Sequence, residues 1–291
     1  MAKGFVRAAQ ASDADGICSL LHTKMNPKIP MEHWRRLMTY NWLKEKPDFG
    51  RVVEADGQVL GYCGMVYSDR FIGDANQLRS ERLVSMSSWY LDKSLRGQGL
   101  GRDMLISSIA DPALTYAILT NSSKPLAIVK ALGFQVLEDH RYIWRKTDSS
   151  HAGVVITKEV DSIKARIDPN QQRLIIDMHG YALTPLLIEL DAQQSLLFFS
   201  IKRKAENVLW YDLMYASDQT FFVDCAQALA NQLLPSTPAV LASDGRFVKQ
   251  PPPGIVCERL PVGRHYISDR VAPNEIDHLY SELQLLDLKL D

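Results

Sequence analysis

The chain has few of the residues that hold a stapled or metal-organised fold together. Its four cysteines in 291 residues, Cys18, Cys63, Cys225 and Cys257, stand too far apart to form a Cys-x-x-Cys pair. Neither a disulfide framework nor a metal site is expected, and the thiols read as ordinary buried side chains. Long apolar runs are missing as well. Stretches such as Leu196-Leu197-Phe198-Phe199 are far too short to span a bilayer, and Met1-Ala2-Lys3-Gly4-Phe5 shows no apolar signal segment, so a cytoplasmic protein with no membrane role is expected. Net charge is also small, at -1, and clustered Lys and Arg runs are absent, which argues against nucleic acid as the principal partner.

What is present is ordinary globular material. With 46% hydrophobic and 23% charged residues the chain can bury a sizeable core, and its length suits one large or two ordinary domains. Charge is unevenly spread: Lys and Arg outnumber Asp and Glu in residues 1 to 147, and the balance reverses beyond. The basic half holds the most informative stretch, Arg96-Gly97-Gln98-Gly99-Leu100-Gly101-Arg102, set between the extended run Ser85 to Leu91 and a helical run from Asp103 to Ala110. Three alternate glycines let backbone amides turn towards one point, and the following helix adds the positive end of its dipole there. Such an arrangement cradles a polyphosphate, and Arg96 and Arg102 add fixed positive charge beside it.

Spacing narrows the ligand. A P-loop fails, because the sixth position from Gly97 is Arg102 with Asp103 after it. A dinucleotide fingerprint fails too, since its third glycine would fall on Arg102 and no acidic residue stands in Leu119-Thr120-Asn121-Ser122. The Arg-x-x-Gly-x-Gly pattern of Arg96, Gly99 and Gly101 does fit one family. Together with Lys130-Ala131-Leu132-Gly133-Phe134 downstream, it resembles the GCN5-related N-acetyltransferase (GNAT) family. The resemblance implies an α/β (α+β) fold with a central mixed, mostly antiparallel sheet flanked by helices. It also implies coenzyme A held by Trp89, Tyr90, Leu91, Arg96, Gly97, Gln98, Gly99, Leu100, Gly101, Arg102, Asn121 and Ser122, with the strand before the loop and the strand at Tyr116 to Asn121 splayed apart around the pantetheine arm.

Along the first half, a strand at Phe5 to Ala9 precedes a helix capped by Ser12 or Asp13, and Trp34, Leu37, Met38 and Trp42 share one face of a helical stretch from Met31 to Lys46. Asp56-Gly57 turns a hairpin between Arg51 to Ala55 and Gln58 to Tyr67. Ser68 to Leu83 reads as a polar excursion or as part of an acceptor pocket. Phe134 to Leu137 and Arg141 to Arg145 read as two closing strands, and Thr147 to Gly153 as a linker. Beyond the linker the order recurs: helical regions near Glu159, strands Leu186 to Leu190, Ser195 to Arg203 and Val208 to Tyr215, then a helix Thr220 to Leu234. The loop there, Ala216-Ser217-Asp218-Gln219, has no glycines. These features predict two GNAT-like domains in tandem, 1–147 binding acyl-CoA and 154–291 degenerate, with a terminal helix from Glu275 to Leu288.

The expected activity is acyl-CoA-dependent, most simply acetyl-CoA-dependent, N-acylation of a small-molecule amine. Two alternatives stand beside it: a non-catalytic acyl-CoA sensor, and a transferase whose acyl group comes from acyl carrier protein or aminoacyl-tRNA. Homodimerisation is left open. The family's frequent general acid, a Tyr four residues before the Gly of Lys-x-x-Gly-Phe, is Val129 here. The role then moves to a neighbour such as Ser122, Ser123 or Tyr142. Glu81 is the candidate base, with His140 as a second choice, and Ser87 and Ser88 are candidates to relay a proton through water.

Overall fold

The computed structural model describes residues 4–73, 77–120, 122–148 and 153–290. These divide into two compact units, and the first takes in residues 1–136, 264–276 and 280–288. It starts with β1 (Phe5–Ala8), α1 (Ala14–Leu20) and α2 (Met31–Thr39). A meander follows of β2 (Gly50–Ala55), β3 (Gln58–Ile72) and β4 (Arg79–Leu91), then α3 (Leu100–Ser108), β5 (Thr115–Ile118) and α4 (Leu126–Ala131). β1 to β4 pair antiparallel in sequence order, and β5 joins β4 in parallel after the α3 crossover.

Local chemistry explains most of these boundaries. Asp56 and Gly57 both have positive φ (51° and 73°), the twisted two-residue turn that an Asp-Gly pair favours between antiparallel strands. α2 stops at Thr39, short of the expected Lys46, and Tyr40 and Trp42 continue the apolar face from a loop. There they stack with ring centres 4.7 Å apart, and Trp42 donates its indole hydrogen to the Tyr67 carbonyl. Ser68 to Leu83 is not a loop. Its described residues extend the β3–β4 ladder from Ser68↔Leu83 out to Ile72↔Arg79, with Arg82 and Asp69 paired across it at 2.7 Å.

Near the N-terminus the Asp13 carboxylate takes two hydrogen bonds at 2.7 Å from Arg7 and one from the Gln10 amide. The Arg7 guanidinium, as the largest cause, holds the Asp13 pKa below the usual carboxylate value. A depressed folded-state pKa stabilises the fold above the unfolded value of 3.8 and loses that contribution as pH falls through the folded one. Asp13→Asn is therefore expected to cost about 2 kcal/mol at pH 7. The gap between variant and wild type should close in urea titrations run below the folded pKa; a gap independent of pH would show that charge is not the cause.

The second unit takes in residues 137–263, 277–279 and those from Lys289. The chain reaches it within β6 (Gln135–Trp144), one continuous strand where two were expected. β7 (Val155–Thr157), α5 (Val160–Lys164) and α6 (Pro169–Asp177) lead to β8 (Thr184–Leu190), β9 (Gln193–Arg203) and β10 (Leu209–Ala216). α7 (Gln219–Leu233) then crosses to β11 (Ala239–Asp244), which runs parallel to β10. Antiparallel β8, β9 and β10, a crossover helix and a parallel strand repeat the order of pairings of β2, β3, β4, α3 and β5. Phe221, Phe222, Cys225 and Leu229 of α7 pack on Phe199, Leu213 and Leu241 to make this unit's core. Of the expected linker, residues 149–152 lie outside the described residues.

The chain returns to the first unit within β12 (Val256–Ile267), whose His265, Tyr266 and Ile267 pair with Ile118, Ala117 and Tyr116 of β5. The boundaries 1–147 and 154–291 therefore do not describe the fold: the first unit is completed by residues drawn from near the C-terminus. The expected terminal helix is reduced to α8 (Glu282–Leu285), with Tyr280 at φ 58° just before it. Among the described residues no helix is long and apolar enough to cross a membrane.

Candidate active site

β4 carries a bulge. Tyr62 pairs with Tyr90 and Gly64 with Ser87, so Cys63 alone faces Ser88 and Trp89. Ser88 takes a φ of 53°, which is costly for a residue with a Cβ and kinks the strand. On the other edge the parallel ladder to β5 ends at Ser85↔Ala117. Beyond that pair β4 runs on to Leu91 without a ladder partner on that side among the described residues, so backbone donors and acceptors from Met86 onward face an opening.

The loop after β4 closes this opening at its far end. Gly97 and Gly99 have φ of 81° and 85°, a region where L side chains are strained, and a Cβ at Gly97 would meet only open space. Gly99 is the N-cap of α3 and provides no side-chain cap. The Asp103 amide closes the first turn onto the Gly99 carbonyl at 3.0 Å, while the amides of Leu100, Gly101 and Arg102 find no acceptor among the described residues. Orphan amides at a helix start attract an anion. Arg96 lies beside them, pinned by its Nε donating to the Leu91 carbonyl at 3.0 Å, with its guanidinium 5.7 Å from the Tyr90 ring centre. Trp89 donates its indole hydrogen to the Gly101 carbonyl at 3.1 Å and so ties strand to helix. Arg96 and Arg102 are both exposed, as binding a soluble anion requires. These residues fit a coenzyme A diphosphate.

The equivalent place in the second unit is filled. The Asp218 carboxylate caps α7 by accepting from the Phe221 amide at 2.9 Å, and no glycine stands in that loop. A second anion there would meet a like charge.

A cavity of about 310 Å³ opens beside the β4 bulge. Its walls are mostly apolar, from Met25, Ile29, Trp34, Met86, Leu105 and Leu286, with Ser88, Trp89 and Ser122 also reaching it. One ionisable oxygen acid is among its lining residues: Glu282, at 0% exposure, accepts from the hydroxyls of Ser85 and of Thr120, the latter at 2.8 Å. Burial, the largest cause, pushes its pKa above the ordinary carboxylate value, and the two hydroxyls partly oppose that.

The structure thus brings together Trp89, Tyr90, Leu91 and the stretch Arg96 to Arg102, and places Ser88, Trp89 and Ser122 on the cavity. Asn121 lies outside the described residues. Glu81 does not line the cavity. Its carboxylate is clamped by Arg270 at 2.8 Å and 3.0 Å with Arg79 at 3.4 Å, and Arg270 above all holds its pKa below the usual value, so it is a poor proton acceptor. Tyr142 belongs to the second unit, paired with Ser243 on β11 and packed against that unit's core, and burial raises its pKa. His140 is not in a turn but within β6, where Glu138, Asp139 and His140 hold one ligand atom each within 4.8 Å. Glu138 is already committed to the amides of Asp139, His140 and Arg246. Val129 is one of the apolar residues on the cavity wall. Sequence reasoning missed Glu282. The only local signal was a single acid in the apolar run from Leu279 to Leu286.

Residues 15–111 match the Acetyltransferase (GNAT) family. No curated protein matches the chain in sequence. Among solved structures, a conserved protein of unknown function from Enterococcus faecalis V583, described as a probable N-acyltransferase, aligns with a TM-score of 0.56 at 10% identity, over 91% of this chain and 72% of its own. A GCN5-related N-acetyltransferase from Anabaena variabilis ATCC 29413 gives 0.54 at 10% identity over 91% and 72%, and one from Kribbella flavida gives 0.52 at 10% identity over 91% and 71%. At these identities the likeness is one of fold.

Proposed function

We propose, from the match of residues 15–111 to the Acetyltransferase (GNAT) family, that the first unit transfers an acyl group, most simply acetyl, from acyl-coenzyme A to the nitrogen of a small-molecule amine. The observation that carries this reading is the uncapped start of α3, three acceptorless amides set beside two arginines at the end of an unpaired strand edge. Bound acyl-coenzyme A would supply an activated thioester. Leu100, Gly101 and Arg102 would bind its diphosphate through their amides, with Arg96 and Arg102 adding charge. The open edge of β4 from Met86 to Leu91 would pair with the pantetheine amides as a neighbouring strand would. Free amides beyond the Ser88 bulge would stabilise the thioester oxygen as charge develops on it, and the cavity would align the amine and exclude water.

The second unit is, in this reading, a degenerate relative of the first. Its repeated order of strand pairings supports this, and Asp218 in place of a phosphate explains why coenzyme A would not bind there. Ser88 stays a candidate to orient water or substrate, its hydroxyl 2.9 Å from that of Ser87.

Titration calorimetry with coenzyme A, together with thiol release from acetyl-CoA across a panel of primary amines, tests the proposal. Saturable binding and amine-dependent thiol release are expected. An absence of binding heat sinks the reading. Binding without turnover on any amine replaces it with a sensor, a role to which Val129, offering no hydroxyl to protonate the leaving thiolate, would be suited.

A further inference from the structure

The Glu282 carboxylate has an environment that its own protein leaves incomplete. It is wholly buried, both of its oxygens accept hydroxyl hydrogens, and no Lys, Arg or His pairs with it among the described residues. A buried anion without a counter-ion is costly, and two neutral hydroxyls offset only part of that. Its placement is specific. Ser85 is the last residue of β4 paired with β5, and Thr120 follows the end of β5, so the carboxylate straddles the point where the two strands part. It also lines the same cavity as Ser88 and Trp89 of the bulge.

We propose that Glu282 draws the proton of the acceptor's ammonium group through the hydroxyl of Thr120, which lines the cavity and donates to the buried carboxylate at 2.8 Å, and that the acceptor is a small primary amine with an apolar body. The assignment deepens the transferase reading above and rests on it. The walls fix the class: a cavity of about 310 Å³ faced by Met25, Ile29, Trp34, Met86 and Leu286 has room for an alkyl or single-ring amine, and it offers no cation to a substrate carboxylate. Proton balance is simple. The ammonium gives one proton to the Thr120 hydroxyl as that hydroxyl passes its own to Glu282, the freed lone pair forms the nitrogen–carbon bond, and the carbon–sulfur bond breaks with its electron pair leaving on sulfur. The second proton shed by nitrogen ends on the thiolate, and Glu282 returns its own to solvent.

Burial makes Glu282 a stronger base than a surface carboxylate, so kcat/KM should rise with pH across its raised pKa as the carboxylate forms. The elements packed on α8 are α2 and β4. From α2, His33 approaches the Leu286 carbonyl at 3.4 Å, while Glu32 and Arg35 are engaged at 3.9 Å with His33 and 2.9 Å with Asp15. From β4, Glu81 and Arg82 are held by Arg270 and Asp69. Cys63 of β3 shares the cavity, its thiol pushed up to about 11 by burial and therefore neutral.

The test compares Glu282→Gln with wild type in the full chain, since glutamine keeps the shape and loses the charge. Calorimetry uses benzylamine as the cationic probe and benzyl alcohol as its neutral counterpart. Benzylammonium binding should weaken by on the order of 30-fold in the variant while benzyl alcohol binding hardly changes. With acetyl-CoA present, kcat/KM for benzylamine should fall about 100-fold with the KM for acetyl-CoA unchanged. Equal benzylammonium binding by both proteins, or binding by neither, overturns the assignment. Ser85→Ala is the second variant: losing one hydroxyl raises the Glu282 pKa further, so the acidic limb of the pH profile moves upward. A limb that stays in place also overturns the assignment. Glu282-dependent ammonium binding with no transfer to any amine would instead retire the transferase reading and leave the ammonium site standing.

Discussion

Gly99→Asp is expected to weaken coenzyme A binding by about three orders of magnitude while leaving the fold intact. The wild-type α3 begins with amides that have no acceptor among the described residues, and Gly99 before them takes a φ of 85°. An aspartate in that position does two things. It puts a side chain into left-handed backbone, φ 85°, at a cost of ~1 kcal/mol. It also sets a carboxylate where the diphosphate belongs. Two unit charges ~4 Å apart at an effective dielectric constant near 20 repel by about 4 kcal/mol, which at ~1.4 kcal/mol per decade is close to a thousandfold. The substitution would place at the start of α3 the negative charge that Asp218 places at the start of α7, although Asp218 does so from extended backbone, φ -130°. Gly99→Ala is the control for backbone strain, and should stay within about tenfold of wild type. If calorimetry shows aspartate and alanine losing the same affinity, backbone geometry and not charge governs the loop, and the anion cradle is the wrong description.

Sequence reading recovered the parts of this molecule written in consecutive residues. Gly97 and Gly99 specify a turn whose conformation follows from which residues tolerate positive φ, and Asp56-Gly57 specifies its hairpin for the same reason. The strand and helix of β10 and α7 follow from apolar periodicity alone, while β11 went unread. What escaped depends on partners far away in the chain. The Ser68 to Leu83 region looked like a loop because it is polar, yet its polar residues pair across a two-stranded ribbon, Asp69 with Arg82 and Arg70 with Glu81. Glu81 looked like a base because it lies near the central strand, but its real partner, Arg270, is 189 positions away. Glu282 read as part of an amphipathic helix for the converse reason: its hydroxyl partners, Ser85 and Thr120, are 197 and 162 positions away. Local periodicity reports which face of a helix is apolar. It carries no information on which distant strand end will meet a carboxylate.

Leu285→Asp should unfold the first unit outright, although the residue lies six positions from the end of the chain. A tail position would tolerate the change within about 0.5 kcal/mol. Leu285 is instead 0% exposed, and Leu283, Leu286 and Tyr280 around it are 3%, 4% and 5% exposed. α8 packs on α2 and β4, while Tyr280 meets Trp42 edge-on at 5.3 Å and sits under the Arg70 guanidinium at 4.8 Å. Removing the leucine forfeits roughly 2 to 5 kcal/mol for the lost contacts and the cavity, and taking a carboxylate out of water adds several more. The total approaches the whole stability of a typical domain, about 5 to 15 kcal/mol. Leu285→Ala, which carries only the first of those costs, should fold with a lowered denaturation midpoint. Hydrogen exchange would report the difference where it matters, in the amides of β3 and β4, protected in the alanine variant and exchanging freely in the aspartate variant. An aspartate variant that melts with wild type would mean that α8 is detached from the sheet in solution, and the Glu282 carboxylate, carried on the same turn, would then have no fixed place at the mouth of β4 and β5.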